Sequence, residues 1–315
     1  MTSYILRRLL SAVIVIVGLL LVTFTMLHII SPSPARAVLG IKAPPEAIAA
    51  FNHQHGFDRP LWHQFITYLN QTAHFNFGFS YKQNQSVTAL FKENAGRSAY
   101  LSGVSAVLAI LIAMPLGIFQ AVKRNSFLDY TLTGISFTLY SMPIFFISLV
   151  LIDFFAIRHH ILPEFASMST STWGVIKDPK PMILPVVTLV VVSVSAYSRY
   201  MRSSALDNLA QDYIKVARAK GLSERRMLFR HLVRNSSLPM VTLVGLTIPD
   251  LLAGNLITEQ VFNYPGLGLL FFNALGNEDY PILLALTALY GILVVLGNLV
   301  ADIALTFTDP RIRLA

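Results

Sequence analysis

Three carboxylates stand inside long apolar runs of this sequence, where a charge is costly and often functional. Asp153 and Asp302 lie near the ends of their runs, whereas Asp250 lies near the middle of one, directly after Pro249. An aspartate at that depth could carry a coupling proton, line a pathway, or pair with a polar neighbour such as Asn298. A proton relay needs a second carboxylate or a base, and neither accompanies Asp250. Asp250 is therefore kept as a candidate pathway residue.

The motifs of common enzyme chemistry are missing. No G-x-x-x-x-G-K-[ST] occurs, so the sequence offers no P-loop for ATP. No G-x-S-G occurs and no histidine lies mid-run, which disfavours an intramembrane serine protease. The remaining histidines show no recognisable metal-site spacing, and the chain has no cysteine. We expect a protein that is not an enzyme and that uses no metal or cofactor.

The most charged stretch runs from Gln211 to Pro239 and reads QDYIKVARAKGLSERRMLFRHLVRNSSLP. Gly221 interrupts a helical pattern, and Ser223 can N-cap a second helix with Glu224 at its positive end. A stripe of residues at the spacing of one apolar helix face follows, made of Met227, Leu228, His231 and Leu232. The pattern predicts a helix, a glycine turn and a second helix. A loop lying on anionic lipid and a docking surface for a soluble partner both fit it.

The elements that must position these residues are membrane helices. Apolar residues make up 54% of the 315 residues, and Asp, Glu, Lys and Arg only 13%, about half the charge of a soluble domain. Mean hydropathy is +0.60, and the apolar residues come in runs of about 20, the length of a helix that crosses a bilayer. The composition predicts an all-α polytopic membrane protein.

Six segments qualify as spanning helices. The first could be a signal peptide, but its run of about 22 residues exceeds the usual apolar length of such peptides. Prolines inside or beside the spans, such as Pro115, Pro143 and Pro249, predict kinks. The six predicted spans are Leu9–Ile30, Ser98–Val122, Thr131–Phe155, Ile183–Met201, Leu238–Thr258 and Pro281–Thr306.

The basic residues predict the orientation. The net charge is +8, and 15 of the 24 Lys and Arg residues fall on the side that holds both termini and the loop 202–237. Because positive charge favours the cytoplasm, that side is predicted to be cytoplasmic. The long outer loop 31–96 contains two predicted short amphipathic helices, Ala47–His55 and Leu61–Asn70.

A second outer segment, Pro265-Gly266-Leu267-Gly268, holds two glycines that permit close backbone approach. We expect a tight re-entry near the outer mouth of a pathway, where Pro265, Gly266 and Gly268 would help to close an outer gate. An ordinary turn is the alternative.

The basic loop resembles a known family. Its stretch DYIKVARAKGL at 212–222, followed by the Arg pairs and Leu238-Pro239, is similar to the cytoplasmic EAA-type loop of ABC importer permeases, and more narrowly to the peptide/nickel branch. Lys215-Val216-Ala217 stands where other branches place Glu-Ala-Ala. Further matches to this branch follow in chain order: YILRRL at 4–9, GFDRPLW at 56–62, NFGFS at 76–80, MPLG at 114–117, TEQVFNYPGLG at 258–268 and DPRIR at 309–313.

The resemblance implies a type I ABC importer permease fold with six transmembrane helices. It would comprise an N-terminal helix and outer loop (1–95), a permease domain (96–306) and a cytoplasmic tail (307–315). The loop around Gly221 would be a coupling helix that docks on an ATPase subunit, with Met227 and Leu228 filling pockets of that partner. The residues expected in the coupling loop are Ala217, Ala219, Gly221, Leu222, Ser223, Met227 and Leu228.

The resemblance also implies partners and a substrate class. A complete importer would hold a second permease, which this branch makes a distinct paralogue, together with two ATP-binding subunits and an extracytoplasmic solute-binding protein. It would lie among the lipids of a bacterial or archaeal cell membrane and bind no nucleic acid. Di- or oligopeptides are the expected solutes, with nickel or an oligosaccharide as alternatives. A proton-coupled carrier using Asp250 is the alternative from another class.

Overall fold

The protein is a bundle of long helices with a small cap within residues 34–86 and a basic loop within residues 210–237. They are named the outer cap and the cytoplasmic loop after the sides of the membrane that the charge count predicts for them. The computed structural model describes residues 2–30, 34–40, 42–166, 171–238, 240, 243, 245, 247 and 254–308. The N-terminal part begins with the long helix α1 (Thr2–Ile30). The outer cap follows, with α2 (Pro34–Leu39), α3 (Pro45–His55), α4 (Leu61–Ala73) and a hairpin of β1 (Phe79–Ser80) and β2 (Gln85–Ser86). The two strands are antiparallel, with Phe79 opposite Ser86 and Ser80 opposite Gln85.

The bundle continues with α5 (Val87–Val122), α6 (Phe127–Ser141) and α7 (Ile144–Leu151), which a π-helix prolongs over Ile152–Arg158. After α8 (Thr172–Lys177) and a 3₁₀ turn, α9 (Ile183–Leu209) leads into the cytoplasmic loop. That loop holds α10 (Asp212–Ala219), α11 (Glu224–Met227), a π-helix over Leu228–Leu232, and α12 (Val233–Ser236). The described chain ends with α13 (Leu256–Val261), α14 (Leu267–Gly276) and α15 (Tyr280–Thr308).

Within the described residues, four helices are long and apolar enough to cross a membrane, and the α6–α7 pair is a fifth if it counts as one span. The four helices correspond to predicted spans one, two, four and six, and the α6–α7 pair corresponds to predicted span three. Predicted span five, Leu238–Thr258, lies mostly outside the described residues and stays a prediction. Three helices exceed their predicted spans by seven residues or more. Helix α1 begins at Thr2 rather than Leu9, α5 begins at Val87 rather than Ser98, and α9 ends at Leu209 rather than Met201.

The third span differs from its prediction. A spanning helix over Thr131–Phe155 with a kink at Pro143 was expected, but the helix breaks completely at Met142-Pro143 and the two halves meet at 104°. Pro143 precedes the first residue of α7 and has no N–H to continue the hydrogen bonds of α6. Pro115, by contrast, is accommodated inside the continuous α5.

Helices α5 and α9 form the centre of the bundle. Their contact is lined by small residues, as expected where lipid provides no hydrophobic drive and close backbone packing must hold helices together. On α5 small residues form a buried stripe at roughly one-turn spacing, and Gly117 of this stripe lies against α9. The stripe consists of Ser98, Ser102, Ser105, Ala109, Ala113 and Gly117. On α9 the buried residues include Ser195, Ser198, Met201 and Ala205.

An ion pair with a buried carboxylate ties α6 to the C-terminal half of α9. Arg202 donates from Nε and Nη2 to the two carboxylate oxygens of Asp129, at 2.9 and 2.8 Å. Asp129 also accepts from the Asn125 amide, while Ser126 caps α6 by accepting from the Asp129 amide. The side chain of Asp129 is 1% exposed and that of Arg202 is 28% exposed, so the carboxylate is covered while the guanidinium keeps some contact with solvent.

The outer cap rests on α1 and α15. The predicted outer helices are present as α3 and α4, and α4 runs three residues further than its prediction. Tyr68 of α4 donates to the Leu284 carbonyl of α15, while Tyr280 joins the two supporting helices by donating from α15 to the Leu27 carbonyl of α1. Ser80 of β1 donates to the buried carboxylate of Asp279. The cap is therefore fixed to the membrane helices by side-chain hydrogen bonds.

Candidate functional site

The cytoplasmic loop folds as a helix, a glycine turn and a second helix, as its pattern predicts. Gly221 has φ of +73°, the left-handed conformation in which glycine carries no Cβ penalty. Its amide bonds to the Arg218 carbonyl at 2.9 Å, and the Leu222 amide bonds to the Ala217 carbonyl at 3.2 Å. These two bonds form a Schellman motif, so the orphan carbonyls at the end of α10 are satisfied.

The loop has a small core of its own. Ile214, Ala217 and Met227 are buried together, and Leu222 and Leu228 pack against them. The contact between Leu222 and the Ala217 cluster is the apolar contact that usually accompanies a Schellman motif. Burying a methionine side chain contributes about 1.5–3 kcal/mol, so this cluster holds the two helices in a fixed arrangement.

The structure changes the reading of two predicted residues in this loop. Met227 was expected to fill a pocket of a partner, but it is 1% exposed inside the loop itself. Ser223 does precede the second helix, yet its side chain makes no capping hydrogen bond. Leu228 is half-buried, whereas Ala219, Gly221 and Ser223 are exposed.

The second helix departs from α-geometry after Met227. A π-helix over Leu228–Leu232 widens the turn, so Met227 and Leu232, five residues apart, are both buried. Large apolar side chains that remain on the surface are Val216 at 50% and Phe229 at 77% exposure. The loop thus presents apolar groups among the exposed cations Lys220, Arg225, Arg226, Arg230 and Arg234.

The outer glycine segment surrounds a buried glutamate. Glu259 accepts four hydrogen bonds, from Ser98 Oγ at 2.8 Å and from the amides of Asn255, Gly268 and Leu269 at 3.1, 2.7 and 3.1 Å. Burial raises the pKa of Glu259, and the four donors oppose the rise. The carboxylate is wholly inaccessible to water in this structure.

Glu259 and Ser98 together cap α14. Ser98 Oγ accepts from the Leu267 amide at 2.8 Å, while Glu259 accepts from the next two amides, those of Gly268 and Leu269. The first three N–H groups of a helix have no partner within the helix, and its positive end favours a carboxylate. Residues from α5 and α13 therefore fix where α14 begins.

The two predicted glycines allow this arrangement by their lack of a side chain. A Cβ at Gly266 would collide with the Glu259 carboxylate and the Ser98 hydroxyl, and one at Gly268 would stand 2.8 Å from the Leu256 Cα. Pro265 lies beside them and is half-buried. The predicted close backbone approach is thus observed, and its centre is Glu259, to which the sequence pattern assigned no role.

Further contacts hold the segment against the outer half of α5. Tyr264, fully buried, donates to the Arg97 carbonyl at 2.6 Å, and the Asn255 side chain donates to Ser102 Oγ at 2.7 Å. Burial raises the pKa of Tyr264, which keeps its hydroxyl a donor. The outer segment and α5 are therefore one unit.

Of the intramembrane carboxylates, Asp153 forms an ion pair with Arg158 at 2.7 Å near the end of the α7 extension. Asp250 lies outside the described residues, so its role stays a prediction. The Asp129–Arg202 pair was missed, because Arg202 served only as a topological charge. A possible signal was Ser126-x-x-Asp129, a capping pattern that opens an apolar run.

The helices and the loop define a multi-pass helical membrane protein whose conspicuous soluble feature is a folded basic loop. The sequence matches two family descriptions: "Binding-protein-dependent transport system inner membrane component" over residues 113–314, and the N-terminal component of the same system over residues 1–96. The chain belongs to this family of inner membrane components.

Curated relatives match over nearly the whole chain. The oligopeptide transport system permease protein AppB of Bacillus subtilis is 33% identical, with 99% of this chain and 100% of AppB covered. The dipeptide transport system permease protein DppB of Escherichia coli K12 is also 33% identical, with 99% of each chain covered.

A solved structure shares the fold. A chain in the structure of inward-facing conformations of the MetNI methionine ABC transporter aligns with a TM-score of 0.55 and 17% identity. The alignment covers 70% of this chain and 97% of that one. The ABC importer permease fold expected from the resemblance is thereby confirmed.

Proposed function

We propose that this chain is one of two permease subunits of an ATP-driven importer that carries di- and oligopeptides into the cytoplasm. An extracytoplasmic solute-binding protein would deliver the solute, and two ATP-binding subunits would supply the energy. The full-length similarity to oligopeptide and dipeptide permeases supports this substrate class. The observation that carries the proposal is the folded cytoplasmic loop. It lies at the position in the sequence where the resemblance to ABC importer permeases implies a coupling helix.

The geometry explains how such a loop would act. Its own core and Schellman turn make it a firm body rather than a flexible linker. Only Ala210 and Gln211 separate α9 from α10, so a displacement of the loop moves α9. Because α9 packs along α5, whose outer half is bonded to the Glu259 segment, both ends of the pathway would respond. This is the mechanical requirement of alternating access.

The surface for an ATP-binding subunit would be the exposed side of the loop. Met227 belongs to the internal core, so the apolar groups available to a partner are Val216 and Phe229. Buried apolar anchors of this kind often cost more than 1 kcal/mol of binding free energy when they are truncated. The basic side chains around them would suit an acidic rim or anionic lipid at the edge of the contact.

The test is recovery of the ATP-binding subunits with the tagged chain from native membranes in detergent. Phe229→Ala and Val216→Ala should reduce that recovery while the chain stays inserted. Trp62→Ala, an exposed aromatic of the outer cap, is the matched control. Full recovery with the double variant would return the loop to the lipid-binding alternative, since detergent removes most bilayer contacts.

Uptake tests the solute. The complete importer in proteoliposomes should take up a tripeptide when ATP is enclosed, and a protonophore should leave the rate unchanged. Uptake by this chain alone, driven by a proton gradient, would contradict the proposal and favour the carrier that uses Asp250. Uptake of nickel or an oligosaccharide without peptide uptake would contradict the substrate class.

Three finer points belong to the same proposal. Both termini and the loop 202–237 would face the cytoplasm, and the second permease would be a distinct paralogue. The chain would divide into an outer part at 1–95, a permease domain at 96–306 and a tail at 307–315. The charge count and the branch resemblance support these assignments.

A further inference from the structure

Arg199 of α9 is a half-buried cation whose guanidinium lies over two aromatic rings of α6. Its guanidinium carbon is 4.3 Å from the ring centre of Phe137 and 4.9 Å from that of Tyr140. Within the described part of the chain, Arg199 makes no hydrogen bond or ion pair. Aromatic faces attract a cation but leave its N–H edges without acceptors.

The guanidinium points away from the cytoplasmic end of α9. One turn further along α9, Arg202 reaches Asp129 at the start of α6. Phe137 lies eight residues beyond Asp129, which is about 12 Å along the helix. An arginine that snorkelled to cytoplasmic headgroups would extend the opposite way. Arg199 therefore extends toward the membrane interior.

The same face of α6 leads to the break in the third span. A shallow, open depression between Phe137 and the break is lined by Phe137, Thr138, Ser141, Met142, Pro143 and Phe146. Ser141 and Pro143 are exposed on this chain. Irregular backbone at membrane depth is tolerated where protein or a water-filled cavity covers it, and intramembrane cations show the same preference. The cation and the break therefore both indicate that water or protein, rather than lipid, covers this face.

We propose that Arg199 lines the translocation pathway and binds the carboxylate of the passing solute. This inference rests on the proposed function, since a peptide carries an α-carboxylate. The planar guanidinium suits a carboxylate, because its N–H groups can donate two parallel hydrogen bonds. Phe137 and Tyr140 hold the side chain in place and leave those N–H edges open. Arg199 is thus a specificity-determining residue for solutes with a free carboxylate.

The first experiment compares two peptides in the complete importer in proteoliposomes. Uptake of trialanine and of trialanine amide is measured for wild type, Arg199→Gln and Arg199→Lys, with Tyr200→Phe as the neighbouring control. Arg199→Gln should lower trialanine uptake about tenfold more than amide uptake, since it removes a charge-assisted hydrogen bond. Arg199→Lys should retain part of the preference. Equal losses for the two peptides would overturn the carboxylate assignment.

The second experiment needs no solute preference. The chain has no cysteine, so Arg199→Cys can be labelled singly in the assembled importer by a charged thiol reagent. Labelling is expected, and saturating trialanine should slow it. Ile14→Cys is the control, because Ile14 lies within a predicted span and points away from the bundle at 71% exposure. Lipid would cover this position, so it should stay unlabelled. Absence of labelling at position 199 would overturn the pathway placement. Failure of wild-type peptide uptake, by contrast, would count against the proposed function.

Discussion

Gly117 on α5 lies directly against the backbone of α9, where a Cβ added at this glycine would stand 2.6 Å from the Ser198 carbonyl oxygen. The obstructing atoms are backbone atoms of Ser198 and Arg202 and the Cβ of Met201, and side-chain rotation can move none of them. The closest approach of the two central helices therefore depends on this one missing methyl group.

Gly117→Ala is expected to destabilise the bundle by about 1–3 kcal/mol, the usual effect of overpacking a tight contact. Thermal unfolding of the detergent-solubilised chain measures this loss. Gly134→Ala is the control, because nothing lies within 4 Å of a Cβ there and alanine favours a helix. Equal melting temperatures for the two variants would show that α5 and α9 can separate at little cost.

The Asp129–Arg202 pair should show strong coupling in a double-mutant cycle. Breaking the pair leaves a charge without its partner in a mostly buried position, whereas removing both charges does not. Asp129→Ala and Arg202→Ala should each destabilise, with a coupling energy of about 1–3 kcal/mol. Denaturation of the solubilised importer measures the four species. Additive effects would indicate that solvent already screens this pair.

Glu259→Gln should loosen the start of α14. The variant side chain has one carbonyl oxygen in place of two carboxylate oxygens, so its NH₂ group would face amides that need acceptors. Each buried group left unsatisfied costs about 1–3 kcal/mol. Faster hydrogen exchange at the Gly268 and Leu269 amides is the expected readout, together with reduced uptake.

Glu164→Gln, at an exposed position, is the control for this change. Gly266→Ala should reproduce the Glu259→Gln phenotype by displacing the carboxylate. Unchanged exchange and uptake in both variants would reduce the segment to an ordinary turn.

Gly221→Val should disturb the cytoplasmic loop through its backbone alone. Among the described residues, no atom lies within 4 Å of a Cβ at this position, but φ is +73°, and a side chain there costs about 1–2 kcal/mol. We expect normal insertion with poorer recovery of the ATP-binding subunits. Gly221→Asn should restore recovery, because asparagine tolerates the left-handed conformation. Equal recovery for the valine and asparagine variants would separate the turn from docking.

Single cysteines can establish orientation on this cysteine-free background. Lys220→Cys should be labelled by an impermeant reagent only after the membrane is opened. Trp62→Cys, at a position 65% exposed in the outer cap, should be labelled in intact cells. Labelling of position 220 from outside would reverse the topology derived from charge.

The features predictable from sequence were those with a local cause. Hydropathy identified the helices that carry spans one, two, four and six, and the outer helices α3 and α4 appeared where turn formers and apolar spacing placed them. Gly221 signalled its turn because left-handed backbone strongly favours glycine. The parts of helices that extend beyond the apolar runs were less predictable. The 11 residues of α5 before Ser98 are too polar for a hydropathy window to include them in the span.

Relationships between distant segments could not be predicted in this way. Pro143 signals an interruption, but the 104° angle depends on how α7 packs. Glu259 accepts a hydrogen bond from Ser98, which is 161 positions away in the sequence, and Asp129 pairs with Arg202, which is 73 positions away. No local propensity encodes such partners. Met227 shows the same limit. An apolar stripe predicts that a side chain is buried, but not which part of the chain or of a partner buries it.

The length of α5 has a mechanical consequence. Its 36 residues make a rod of about 54 Å, while the hydrocarbon layer is about 30 Å thick. The rod therefore stands well clear of the bilayer at its outer end, where the β-hairpin, Ser98 and the Arg97 carbonyl are attached. A stiff lever pivoting near Gly117 converts a small tilt at its cytoplasmic end into a larger sweep at the far end. The long arm lies on the outside, so the outer segment around Glu259 would travel farther than the cytoplasmic contact that drives it.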